Sequence, residues 1–113
     1  MSAVWAIAAL AEGKTVEDYR EGGNSMSGVI NHMQPVTLRP IVDSAKLSKG
    51  DIVLVRVRRS TYTHFVKATR PNQVQIGNNF GRINGWTHVN NVYGIVTAIG
   101  GCPRKNSQYS TAD

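Results

Sequence analysis

Apolar and polar residues alternate at different periods along this chain, and the period marks the elements. The run Ile52-Val53-Leu54-Val55-Arg56-Val57-Arg58 predicts the clearest strand. Loose alternation over 14–20, and Val36 and Leu38 set against Thr37 and Arg39 within 35–41, predict two more. β-branched and aromatic residues open a strand over 61–69, and short apolar runs predict strands at 73–76 and 92–99. Gly22-Gly23-Asn24, Gly50-Asp51, Arg59-Ser60, Arg70-Pro71-Asn72 and Asn84-Gly85 read as turns. Residues 77–91 therefore read as loop and irregular chain.

One segment has a helical period. Residues 2–12 are rich in alanine and leucine, with Ser2 as N-cap and Gly13 as terminator. Val4, Ile7, Ala8 and Ala11 fall on one face by the i, i+3, i+4, i+7 rule, and that face is expected to dock on a sheet, with Trp5 beside it. Many short strands behind one helix predict a mainly β fold, a small barrel or a folded-over sheet. Residues 1–102 are read as one domain and 103–113, polar and without period, as a disordered tail.

Composition narrows the functional classes. A chain of 113 residues holds one core. Its formal charge of +6 suits an acidic partner, nucleic acid included. Arg56, Arg58 and Arg59 form the densest basic run, with Arg56 and Arg58 on one strand face. The single cysteine, Cys102, excludes an internal disulfide and suits a reducing cytoplasm. His32, His64 and His88 lack metal-ligand spacing, so no metal is expected, and no other cofactor is implied. The apolar N-terminal stretch is shorter than the roughly 20 residues a span needs and lacks the basic flank of a signal peptide. No membrane association is expected, and the oligomeric state is left open.

Four motifs stand in order: Gly23-Asn24-Ser25-Met26, Gly50-Asp51 before an apolar strand, Gly77-Asn78-Asn79, and the closing Gly94-Ile95-Val96. Together they resemble the signatures of the LexA/signal-peptidase superfamily over residues 14–99. The chain length, the helix and Asn84-Gly85-Trp86 also resemble a branch of small proteins from phages and bacteria, which would place it in a host cytoplasm.

The resemblance implies that Ser25 is the nucleophile and that the strand through Phe65 carries its base. That strand offers both residue types the family uses, His64 and Lys67, and strand alternation lets only one of them face Ser25 unless a bulge intervenes. A histidine accepts a proton near neutral pH whereas a lysine must first be desolvated. Counting back from Val74 puts the family's base position near His64, the preferred base, while aligning the family's V-K pair onto Val66-Lys67 gives Lys67 instead. Asn78 or Asn79 stands where histidine-type members have an aspartate, and Asn78 is taken as the group that orients the base. Asn24, Met26 and Trp86 are the candidate substrate contacts; Met26 also reads as core beneath the serine, and Trp86 equally as a cap on the barrel. Asp51 reads as a turn residue.

Three functions follow. The first is a soluble endopeptidase acting on an extended peptide. The second is an inactive binding or regulatory module that keeps the fold and takes a peptide or protein partner. The third, ranked last because no recognition helix is visible, is a basic nucleic-acid binder. Self-cleaving members of the family cut in a linker ahead of this domain; little linker precedes it here, so that mode is not expected.

Overall fold

The computed structural model describes residues 3–111. The chain runs α1 (Val4–Ala11), β1 (Val16–Tyr19), β2 (Val36–Arg39), β3 (Ile52–Val57), β4 (Ser60–Arg70), β5 (Gln73–Gly77), β6 (Ile83–His88), β7 (Val92–Ile99) and β8 (Cys102–Pro103). All strands pair antiparallel in one eight-stranded sheet of order β1-β2-β7-β3-β4-β5-β6, with β8 against the end of β7. The mainly β architecture expected from the sequence is present, as a folded-over sheet and not as a closed barrel.

The continuous apolar run of β3 reflects burial on both faces. Ile52 and Leu54 enter one core with Leu10 of the helix, Leu38 and Val96. Val53, Val55 and Val57 enter a second core with Val66, Val74 and Ile76, inside the curl of β3 to β6. The curl is pinned where Thr87 Oγ1 of β6 donates to the Arg56 carbonyl of β3 at 2.9 Å, across two intervening strands.

The helix docks on a different stripe from the expected one. Ala6 and Leu10 are buried with Ala3 and Ile7 partly covered, whereas Val4 is 71% and Trp5 48% exposed. The cause is a slot over β7. A Cβ on Gly94 would stand 2.7 Å from Leu10 Cδ1 and 3.1 Å from the Arg39 carbonyl, so the bare glycine admits the leucine and sets the rotation of the helix. At the other end the Lys14 amide donates to Ala9 O and the Gly13 amide to Leu10 O, with Gly13 at φ +81°, a Schellman-type stop. The Ser2 cap lies outside the described residues.

Three further expectations are corrected. Residues 83–88 form strand β6, with Asn84-Gly85 inside it; Gly85 pairs with Ile76 at φ +133° next to a register shift, so the pair marks an irregular strand and not a turn. Arg58 leaves β3 at φ +57° and makes the β3–β4 turn with Arg59, so it does not continue the Arg56 strand face. The terminal segment is docked. Tyr109 Oη donates to the Pro40 carbonyl under the Arg39 guanidinium, Gln108 Oε1 accepts from the amides of Val42 and Asp43, and Ser107 donates twice to buried Asp51. These contacts are polar and specific, so they leave no hydrophobic period to read.

Candidate active site

Ser25 sits on the long connection between β1 and β2, which its own polar groups hold in shape. Gly23, at φ +110°, donates its amide to His32 Nδ1 at 2.8 Å, and the Met33 amide donates to the Glu21 carbonyl at 2.9 Å. A short turn follows, with the Ile30 amide on the Met26 carbonyl at 2.8 Å. Met26 is buried in the helix-side core and anchors this turn. Its neighbour Ser25 is left exposed at the surface.

A second loop clamps the serine from the β5–β6 side. The Asn79 amide donates to the Ser25 carbonyl at 3.0 Å and Asn79 Nδ2 to the Ser27 carbonyl at 2.8 Å. Asn78 holds that loop together by accepting from the amides of Phe80 and Arg82. The Gly77-Asn78-Asn79 step thus fixes the backbone of the serine.

His64, 6% exposed on β4, meets Ser25 directly: Nε2 to Oγ is 3.0 Å. Its other ring nitrogen, Nδ1, is 2.7 Å from Asn84 Oδ1 on β6. The amide oxygen can only accept, so Nδ1 carries the proton and Nε2 is left to accept from the serine hydroxyl. Tyr62 stacks on the imidazole with ring centres 4.8 Å apart. Burial pushes the His64 pKa below its ordinary value; the Asn84 hydrogen bond and the Glu21 charge act the other way, and the Lys67 charge adds to the lowering. The net lowering favours the neutral imidazole, the state a base needs.

The site opens into a cleft between Glu21-Gly22 and Thr61-Thr63, with Ser25 and His64 in its lining. Beside it, Tyr19 Oη donates to Glu21 at 2.6 Å, and burial together with this carboxylate holds the phenol protonated far above the usual tyrosine range.

Ser25 and His64 come together, as expected. Lys67 does not join them: it falls at the register shift of β4, its stem packs against Gly77 and its ammonium stands 5.0 Å from the Phe65 ring. Asn78 is a loop residue, and the group on His64 is Asn84, hidden from sequence reading because Asn-Gly signals a turn. The available signal was Ile83, Trp86 and Thr87 around it, a strand-like set. Tyr62 was missed as well.

Asn24 caps the serine turn through its carbonyl, which accepts from the Ser27 amide. Trp86 lies under the Arg70 guanidinium at 4.1 Å on the β5–β6 surface, outside the cleft lining. Arg56 turns its Nε to the Arg58 carbonyl, while Arg58 and Arg59 stand at the hairpin tip. Cys102 is exposed on β8, and His88 Nδ1 accepts from the Asn90 amide.

No family model, curated protein or solved structure matches this chain significantly. No helix among the described residues is long and apolar enough to cross a membrane.

Proposed function

We propose that this protein is a serine endopeptidase working through a Ser25–His64–Asn84 relay. One observation carries the reading: a surface serine hydroxyl lies within hydrogen-bond reach of a buried imidazole whose far nitrogen is held by a third side chain. A nucleophile, a base and a group orienting the base are the constituents of acyl transfer. The ordered resemblance to the LexA/signal-peptidase superfamily supports the same reaction.

In this reading an extended peptide lies in the cleft between Glu21-Gly22 and Thr61-Thr63, pairing through its backbone. Ser25 Oγ attacks the scissile carbonyl carbon as His64 Nε2 takes the hydroxyl proton. Backbone amides around Ser25 are the natural donors to the oxyanion. Collapse breaks the C–N bond, the imidazolium returns its proton to the leaving amine, and an ester to Ser25 remains. Water then attacks the ester with His64 again as base, releasing the acid and restoring the hydroxyl. Asn84 fixes the tautomer but brings no negative charge to the imidazolium, so turnover is expected to be slower than with a carboxylate in its place.

That neutral amide favours a second reading, a binding module without turnover. Labelling by a fluorophosphonate and cleavage of a peptide library separate the two. Wild type should label at Ser25 and cut a subset of peptides, and Ser25→Ala and His64→Ala should do neither. Wild-type and Ser25→Ala traces that coincide would remove the peptidase and leave the module.

A further inference from the structure

The β3–β4 hairpin and the start of β6 border a second cleft, of about 420 Å³, lined by Arg58, Arg59, Tyr62, Arg82, Ile83 and Asn84 among others. Two of these residues belong also to the serine site. Tyr62 stacks on His64 and lines both clefts, and Asn84 holds His64 Nδ1 while facing the arginines' cleft. The cleft therefore begins one side chain away from the proposed relay.

Its charge is one-sided. Arg58, Arg59 and Arg82 are all exposed, and no carboxylate lines the cleft among the described residues. Among the described residues the ion pairs Lys14–Glu12 and Arg20–Asp18 involve none of them. Arg58 is built in: the left-handed turn at φ +57° carries its side chain across β6, with Nη2 4.0 Å from where a Gly85 Cβ would stand. In the serine cleft itself the charged lining group is Glu21.

We infer that Arg58, Arg59 and Arg82 form a subsite for an acidic side chain of the peptide substrate, on the Tyr62 side of the scissile bond. This inference rests on the peptidase reading above. Guanidinium groups bind carboxylates in paired hydrogen bonds, and cations free of intramolecular partners keep that capacity for a ligand. A peptide carboxylate is favoured over a nucleic-acid backbone because the three arginines share a wall with the serine relay, in a concave site and not along an extended basic face.

Binding is read with Ser25→Ala protein, so that turnover plays no part. The probes are a fluorescein-labelled peptide rich in Glu, its Gln isostere, and a single-stranded oligonucleotide of the same charge as the Glu peptide. The Glu peptide should bind about tenfold tighter than the Gln peptide at low salt, an advantage that shrinks as salt rises. Arg59→Glu with Arg82→Glu should abolish or invert the preference, and Arg59→Gln with Arg82→Gln should flatten it while melting temperature is kept. Equal binding of the two peptides, or tighter binding of the oligonucleotide than of the Glu peptide, overturns the subsite. Fluorophosphonate labelling of wild type reports the peptidase reading separately: an unlabelled serine together with Glu-selective binding defeats the reaction and keeps the acidic-peptide site.

Discussion

His64 Nδ1 and Asn84 Oδ1 stand 2.7 Å apart although their strands, β4 and β6, are not neighbours in the sheet; β5 lies between them. The contact exists because the sheet folds over on itself. It selects the imidazole tautomer that lets Nε2 accept the Ser25 proton.

Changing Asn84 should therefore act on chemistry more than on binding. Asn84→Ala frees the ring and its tautomer, and kcat should fall by roughly 10²–10⁴ with KM little changed. Asn84→Asp should retain or raise kcat, because a carboxylate stabilises the imidazolium. Steady-state kinetics on a cleaved library peptide measure both, and a KM effect that matches the kcat effect would reject the orienting role.

The pH dependence has a definite sign. Burial lowers the His64 pKa, so the acid limb of kcat/KM should fall below the ordinary value of about 6.5. Asn84→Asp should move that limb upward. Stability follows the same group: between the ordinary pKa and the lowered one the unfolded chain binds the extra proton and the folded chain does not. The contribution is complete above about 6.5 and is lost as pH falls through the folded pKa. Chemical denaturation at stepped pH checks this, and His64→Gln should flatten the slope in that window.

Lys67 separates the histidine base from a lysine base. Its ammonium lies toward Phe65, so Lys67→Gln should leave kcat within about twofold at pH 8, since the group makes no proton transfer. Its charge helps lower the His64 pKa, so the acid limb should shift slightly upward in this variant. A loss of rate as large as that of His64→Ala would assign the base to lysine.

Gly94→Ala tests how the helix is seated. The added methyl would meet Leu10 Cδ1 and the Arg39 carbonyl, and the cost should be on the order of 1–3 kcal/mol by chemical denaturation. Leu10→Ala should cost less in this background than in wild type, because the two groups compete for one slot and their effects are not additive.

Removing residues 104–113 should lower the melting temperature by about 5 °C or more, since part-buried hydrogen bonds and the Tyr109 packing go with them. Tyr109→Phe should lose only the bond to the Pro40 carbonyl, roughly 1 kcal/mol. A truncated protein with an unchanged melt would return the segment to the status of a free tail.

Local pattern determined the larger part of this architecture. The period of β3, the turn at Gly50-Asp51, the glycine stop of the helix and the strands around Val36, Val74 and Ile95 follow from side-chain alternation and backbone preference, which act within a few residues. A meeting of the Ser25 loop with the strand through Phe65 was an expectation of the sequence, which left His64 and Lys67 both open; the fold puts His64 on Ser25. Tertiary structure alone decided that Asn84 and not Asn78 orients the imidazole, that Lys67 turns away at a register shift, that the helix docks through Leu10, and that the terminal segment is held. Each of these depends on groups far apart in the chain meeting in one place. Spacing carries no record of such meetings when the contact is a single hydrogen bond, a missing Cβ or a strand that folds back over its neighbours.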